Sequence, residues 1–213
     1  ASQARGKSRA YNLLRSLDVK SALDCIKKLG IKVRLNKRYC EIIGGGLNAF
    51  SHTKKITLNA GNSGTLGRLI LGLLIHNESK VKIIGDQSLS KRDFSRVIVP
   101  LKKFGAKFKH RPNHKLPIEI QGTSNSKAIN YIETKGSAQC KSTIMLAALN
   151  TNGQTKIKAK KSRDHTEILF KQLKIPIILK KNKKFDLIKI NGKKQFSGFN
   201  YKIPSDLSSS AFF

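Results

Sequence analysis

Asn62-Ser63-Gly64-Thr65 and Ser137-Ala138-Gln139 open two stretches of the chain in the same way. Each small polar cluster leads directly into an apolar run, to about Ile75 in one case and about Leu149 in the other. That pattern predicts a helix start, because a side-chain oxygen at the cap accepts from a free backbone N–H of the first turn. After the first run come a strand, Lys80-Val81-Lys82-Ile83-Ile84, and a loop, Lys91-Arg92-Asp93. A second amphipathic helix then ends at Phe104-Gly105, before Ala106-Lys107-Phe108. After the second run the same order returns. Gly153-Gln154-Thr155-Lys156-Ile157-Lys158 is followed by Ser162-Arg163-Asp164 and by a helix ending near Leu173. Ser63 and Ser137 stand 74 residues apart. Self-similarity at a fixed spacing marks a repeated structural unit.

A further opening, Asp206-Leu207-Ser208-Ser209-Ser210, follows 71 residues after Ser137, counted to Ser208. An incomplete earlier copy supplies Gly6-Lys7-Ser8-Arg9-Ala10-Tyr11, then Ser16-Leu17-Asp18. Its helix carries Val19, Ala22, Leu23, Ile26 and Leu29 on one stripe and stops at Gly30, suited to a left-handed C′ position. Between units lie alternating strands, Leu116-Pro117-Ile118-Glu119-Ile120 and Ile129-Asn130-Tyr131-Ile132-Glu133. The unit is β-α-β-α-β-β, and three of them predict an α+β domain around a pseudo-threefold axis. We expect repeats at about 1–50, 51–125 and 126–200. The incomplete first unit and the Phe212-Phe213 end lead to the expectation that the chain is part of a longer protein. Pro100 falls inside a predicted helix, where a kink is expected.

Composition narrows the function classes. The 213 residues carry 43 Lys plus Arg against 12 Asp plus Glu, a formal charge of +31. The 33 Lys greatly outnumber the 10 Arg, aromatics make up 7%, and Trp is absent. Base-edge readers favour Arg, and single-strand binders favour stacked aromatics, so nucleic-acid binding is not the expected role. A positive field that attracts small polyanions fits better. No apolar run reaches the length of about 18 residues needed for a membrane helix. Cys25, Cys40 and Cys140 are widely spaced, with no CxxC, which points away from disulfides and structural zinc and toward a cytoplasmic protein.

Free N–H groups at helix openings 62, 137 and 206 form natural anion sites at the positive end of the helix dipole. Taken alone, each cluster is ordinary capping; repetition makes convergence on one cleft the stronger reading. Arg68, about one turn past the first cluster, is read as an internal ion-pair partner or a phosphate ligand. Arg92 and Arg163 offer planar forks in matching loops, ahead of the helix-starting Asp93 and Asp164. His76, His110 and His114 have no metal-ligand spacing. Gly44-Gly45-Gly46 lacks a phosphate-loop frame, and no Ser-His-Asp order is present.

Five segments carry a resemblance. Leu58 to Leu69 resembles the NxGT…R motif of the 5-enolpyruvylshikimate-3-phosphate synthases, and Gly85 to Arg92 their GDxSLxxRP loop. Gly136 to Ser142 resembles SAQxKSA, Lys161 to Glu167 resembles SRDHTE, and Pro204 to Ser209 resembles PGDxSS. The motifs occur in family order along the whole chain. The resemblance implies an enolpyruvate-transferase-like α/β prism, with 1–203 as most of its three-repeat domain and 204–213 starting a crossover into a second domain. It also implies transfer of the enolpyruvyl group of phosphoenolpyruvate to the 5-hydroxyl of shikimate 3-phosphate, without metal or organic cofactor. It assigns Asn62, Gly64, Arg92 and Gln139 to phosphoenolpyruvate. Ser137, Ala138, Gln139, Ser162 and Arg163 go to shikimate 3-phosphate. Thr65, Arg68, Lys141 and Asp206 are supporting residues.

Asp93 replaces the family's usual Pro after Arg92, and Ser205 its usual Gly before Asp206. The family's N-terminal Lys-Ser…Arg segment and its acid/base groups have no match here, so turnover by this chain alone is not expected. A monomeric full-length enzyme is. The sister family, the UDP-N-acetylglucosamine enolpyruvyl transferases, typically has a reactive Cys in the loop matching residues 86–96, and no Cys stands there. A basic nucleic-acid-binding protein is the alternative from a different class.

Overall fold

The computed structural model describes residues 1–50 and 55–204. The first unit contains β1 (Arg5–Tyr11), α1 (Leu17–Lys28), β2 (Lys32–Leu35) and β3 (Tyr39–Gly45). The second contains β4 (Ile56–Asn59), α2 (Gly64–Leu73), β5 (Val81–Ile84), a short α3 (Gln87–Ser90), α4 (Ser95–Lys103), β6 (Lys107–Arg111) and β7 (Lys115–Gln121). The third contains β8 (Asn130–Glu133), α5 (Ala138–Ala148), β9 (Gln154–Lys160), α6 (His165–Gln172), β10 (Ile177–Lys181) and β11 (Phe185–Asn191), followed by β12 (Asn200–Lys202). The expected β-α-β-α-β-β order is present in both full units.

Each unit builds a four-stranded sheet of the same topology: β12-β1-β3-β2, β4-β5-β7-β6 and β8-β9-β11-β10. In every sheet the first two strands are parallel and the remaining pairs antiparallel. The first sheet takes its outer parallel strand from the far end of the chain, pairing Ala10 with Tyr201. No local pattern announces that pairing.

Helices α2 and α5 pack together at the centre. Gly72 makes the contact possible, since a Cβ there would lie 2.3 Å from the Thr143 carbonyl oxygen. α5 is buried over Cys140–Met145, as expected of a helix with neighbours on nearly all sides. Leu71, Leu74, Ile98, Leu101, Phe104 and Ile144 are completely buried in the surrounding core. α4 runs through Pro100 as one continuous helix. The cost is the N–H that Pro100 cannot give the Arg96 carbonyl.

Helix ends follow the sequence signals. Ser63 and Ser137 each accept from the third backbone N–H beyond them, of Leu66 and Cys140, at 3.3 Å. α1 closes with Gly30 at φ 89°, its N–H donating to Lys27 while Ile31 donates to Ile26. That is the paired capping pattern of a left-handed C′ residue. Among the described residues no helix is long and apolar enough to cross a membrane.

Candidate functional site

The parallel strand pairs end in adjacent loops. Asp86 N–H donates to the Gly61 carbonyl, placing the loop after β5 beside the opening of α2. Likewise the Lys161 carbonyl lies 3.3 Å from where a Cβ of Gly136 would stand, placing the loop after β9 beside the opening of α5. Loops at the carboxyl ends of parallel strands, next to helix N-termini, are a favoured place for ligands. Neighbouring units bring these ends together. Ser21 of α1 approaches Gly61, and Arg96 of α4 binds Glu133 at the end of β8.

Arg68 joins the two central helix starts. Its Nη1 donates to Gln139 Oε1 at 3.0 Å and to the Gly64 carbonyl at 3.2 Å, while its guanidinium lies 5.1 Å from the Phe94 ring centroid. Gln139 Nε2 donates to Thr65 Oγ1 at 2.8 Å. Arg68 makes no ion pair among the described residues, so the ion-pair reading gives way to a bridge between α2 and α5. Burial draws its pKa below the usual arginine value.

Arg92 stands over the same opening. A Cβ on Gly64 would lie 2.9 Å from Arg92 Nη1 and 3.0 Å from Arg68 Nη1, so only glycine leaves both forks in place. Arg92 is exposed and has no ion-pair partner among the described residues. Asn62 donates to Asp86 Oδ2 at 2.5 Å. The Leu89 N–H, then the Asn62 amide, hold the Asp86 carboxyl below its ordinary range. Asp93 accepts from Ser95 N at 2.6 Å, an Asx turn leading into α4. Asp164 starts α6 without a capping hydrogen bond. It instead binds Lys181 at 2.7 Å, which keeps its carboxyl low.

On the third unit's side, Ser137, Ala138 and Gln139 are half-buried and Arg163 is exposed. Ser162 Oγ is buried without a hydrogen-bond partner. Beneath them, Lys141 of α5 and Glu167 of α6 face each other 2.5 Å apart with side chains 0% and 1% exposed. Ser142 and Thr166 hydroxyls meet at 2.7 Å along the same helix pair. Asp206 lies outside the described residues.

The family model for EPSP synthase (3-phosphoshikimate 1-carboxyvinyltransferase) matches residues 1–213. The chain belongs to the EPSP synthase family. A 3-phosphoshikimate 1-carboxyvinyltransferase of Vesicomyosocius okutanii is 41% identical over 213 residues, which is 100% of this chain and 48% of that protein. One from Streptococcus uberis is 38% identical over 211 residues, 98% of this chain and 48% of that protein. The solved EPSP synthase from Acinetobacter baumannii superposes with a TM-score of 0.90 at 31% identity, over 99% of this chain and 48% of the other. The chain thus spans about half the length of the curated relatives it matches.

Two residues of this EPSP synthase family chain escaped the sequence reading. Glu133 is buried; one oxygen accepts from Arg96 at 2.6 Å and Lys135 N, and the other accepts from Ser137 N at 3.0 Å. It therefore orients the Ser137 opening. Glu167 is the other, buried against Lys141. The only signal was a Glu at an inward position of a strand or helix stripe, where a charge needs a partner.

Proposed function

We propose that the chain forms the half of a cytoplasmic, monomeric EPSP synthase that grips both substrates. The reaction moves the enolpyruvyl group of phosphoenolpyruvate onto the 5-hydroxyl of shikimate 3-phosphate and releases phosphate. Asn62, Gly64, Arg92 and Gln139 take phosphoenolpyruvate. Ser137, Ala138, Gln139, Ser162 and Arg163 take shikimate 3-phosphate. Thr65, Arg68 and Lys141 support them, with Asp206 assigned by motif alone. The observation that carries this reading is the Arg68–Gln139–Thr65 bridge, which sets two helix openings side by side under the Arg92 fork, itself without an ion-pair partner among the described residues.

The chemistry follows from the donors. Helix N–H groups and guanidinium forks stabilise phosphate and carboxylate charge, and Gln139 lies between the two proposed subsites. No metal or organic cofactor is assigned. Proton transfer at the hydroxyl and the methylene is not assigned to any residue of this chain. Its share is binding and orientation.

The test uses the full-length enzyme containing this chain. Arg92→Lys should lower kcat/KM for phosphoenolpyruvate by about ten- to a hundredfold, the equivalent of about 1–3 kcal/mol for a charged hydrogen bond. An unchanged kcat/KM removes Arg92 from the site. The 213-residue chain itself should bind shikimate 3-phosphate in calorimetry without turnover; phosphate release dependent on both substrates would overturn the division of labour.

A further inference from the structure

The three sheets share a topology but not a surface. On the outward face of the first, Glu41 is in register with Arg9 on one side and Arg34 on the other, with Arg9 Nε at 2.9 Å and Lys7 Nζ at 3.8 Å. On the second, Glu119 is in register with Lys82 and Lys109, with Lys80 Nζ at 3.9 Å. Each middle strand thus supplies a carboxylate between two cations. On the third, the residue between Lys158 and Lys180 is Leu187, and Lys156 faces Lys189. The acidic residues of these strands, Glu133 and Asp186, are buried. Glu133 already serves Arg96 and the Ser137 turn. Like charges placed opposite one another in a sheet are destabilising, and nothing on this face offsets them.

One of these lysines, Lys158, also lines a pocket that four further lysines surround. At the carboxyl end of β8 and β9, an open hollow of about 620 Å³ is lined by Lys158, Lys160, Lys161, Lys183 and Lys184, by Glu133 and Thr134, and by Ile132 and Phe185 as its apolar part; the Glu133 carboxylate is already held by Arg96. Its rim is fixed. Asn182 Oδ1 accepts from Lys184 N and Phe185 N, each at 3.0 Å, and Lys161 N donates to the Lys184 carbonyl. Lys158 Nζ lies 4.3 Å from the Phe185 ring centroid, which steadies its stem. Ile132 is 66% exposed at the edge.

We propose that this pocket is an oligophosphate site on the outward face of the third sheet, bordering the α5 opening through Glu133 and Lys161. Five ammonium groups without a single guanidinium suit several phosphoryl oxygens rather than one planar carboxylate. The volume fits a small molecule. The ligand is an oligophosphate, either inorganic or carried by a nucleoside whose planar body would rest on Phe185 and Ile132. A nucleic-acid strand is disfavoured by the lack, among the described residues, of fully exposed aromatic rings on which bases could stack.

Calorimetric titration of the 213-residue chain with ATP and with tripolyphosphate tests the site. One bound molecule per chain is expected, weakening with salt. Tighter ATP identifies a nucleoside polyphosphate; equal affinities identify an inorganic oligophosphate. Lys160→Gln with Lys183→Gln should cost about tenfold or more in affinity, whereas Lys102→Gln with Lys103→Gln, equal in charge but on α4, should cost less than about twofold. Leu187→Glu should also lower affinity about tenfold while raising Tm, because it restores the carboxylate of the other two sheets. Weaker binding at higher Tm excludes misfolding as the cause. Equal losses in the two double variants, or binding seen only with long oligonucleotides at many chains per strand, would overturn the proposal.

Discussion

The second and third units solve the same packing problem with opposite chemistry. Where α2 meets the loop and helix of its own unit, Gly67 receives the Phe94 ring, with a Cβ position 3.3 Å from the ring edge. Seventy-four residues on, the position of Gly67 is Lys141, and the space is closed by its buried pair with Glu167. One contact is apolar and tight, the other ionic and desolvated. An apolar contact fails in proportion to volume; a buried pair fails all at once, because losing one partner strands the other charge.

The largest expected effect follows. Glu167→Gln should destabilise the chain by about 3–5 kcal/mol in urea unfolding, and Lys141→Met with Glu167→Leu should recover most of it. In the second unit, Gly67→Ala asks the Phe94 ring to move only a few tenths of an ångström, at a cost of about 1 kcal/mol. If the two single variants lose equally, the contrast between the units is wrong.

A second difference lies just past the central helices. His76 follows α2, and Asn150 stands at the matching place after α5. Asn150 Nδ2 donates to the Leu47 carbonyl at 2.8 Å and to Asn48 Oδ1 at 3.1 Å, while its own Oδ1 is buried without a partner among the described residues. His76 is 7% exposed, touches Ser126 Oγ at 3.3 Å through Nδ1, and leaves Nε2 without a partner. Burial, and then the charge of Lys193, push its pKa from 6.5 down to about 4. The unfolded chain therefore binds a proton that the folded chain refuses. Stability should be constant above about pH 6.5 and fall as the pH drops toward 4, by about 3 kcal/mol from this group. His76→Asn, which copies the third unit, should flatten that part of the profile; an unchanged slope would assign the acid loss elsewhere.

Much of this architecture is legible because it is local. Ser63, Ser137 and Gly30 declare helix ends within a turn of themselves, and the repeat declares the unit. What stays hidden depends on distance. The pairing of β12 with β1 joins residues about 190 apart through alternating strands that would suit many partners. Arg68 offers the same fork to a carboxylate or an amide, and only the packing of α2 on α5 selects Gln139. Glu133 and Glu167 look like surface charges until the fold buries them. The motifs of the candidate site were legible in the sequence, whereas the residues that orient the helix openings were not.

The smallest difference is at the helix exits. α4 ends with Gly105 at φ 109°, its N–H donating to Lys102. α6 ends at Lys174, also left-handed but with φ 53°, its N–H donating to Lys171 while Ile175 donates to Phe170. A side chain in the left-handed region crowds its own carbonyl at a cost of about 1–2 kcal/mol, whereas glycine adopts it freely but loses more entropy on folding. The two terms nearly offset, leaving a net gain of about 0.5–1 kcal/mol for Lys174→Gly in urea unfolding. The reciprocal change, Gly105→Lys, should lose at least as much, because its added Cβ would also stand 2.9 Å from the Thr123 methyl. Opposite signs at these two helix exits would mean that each favours glycine for its positive φ. A loss at Lys174→Gly would instead show that the lysine side chain itself holds the end of α6.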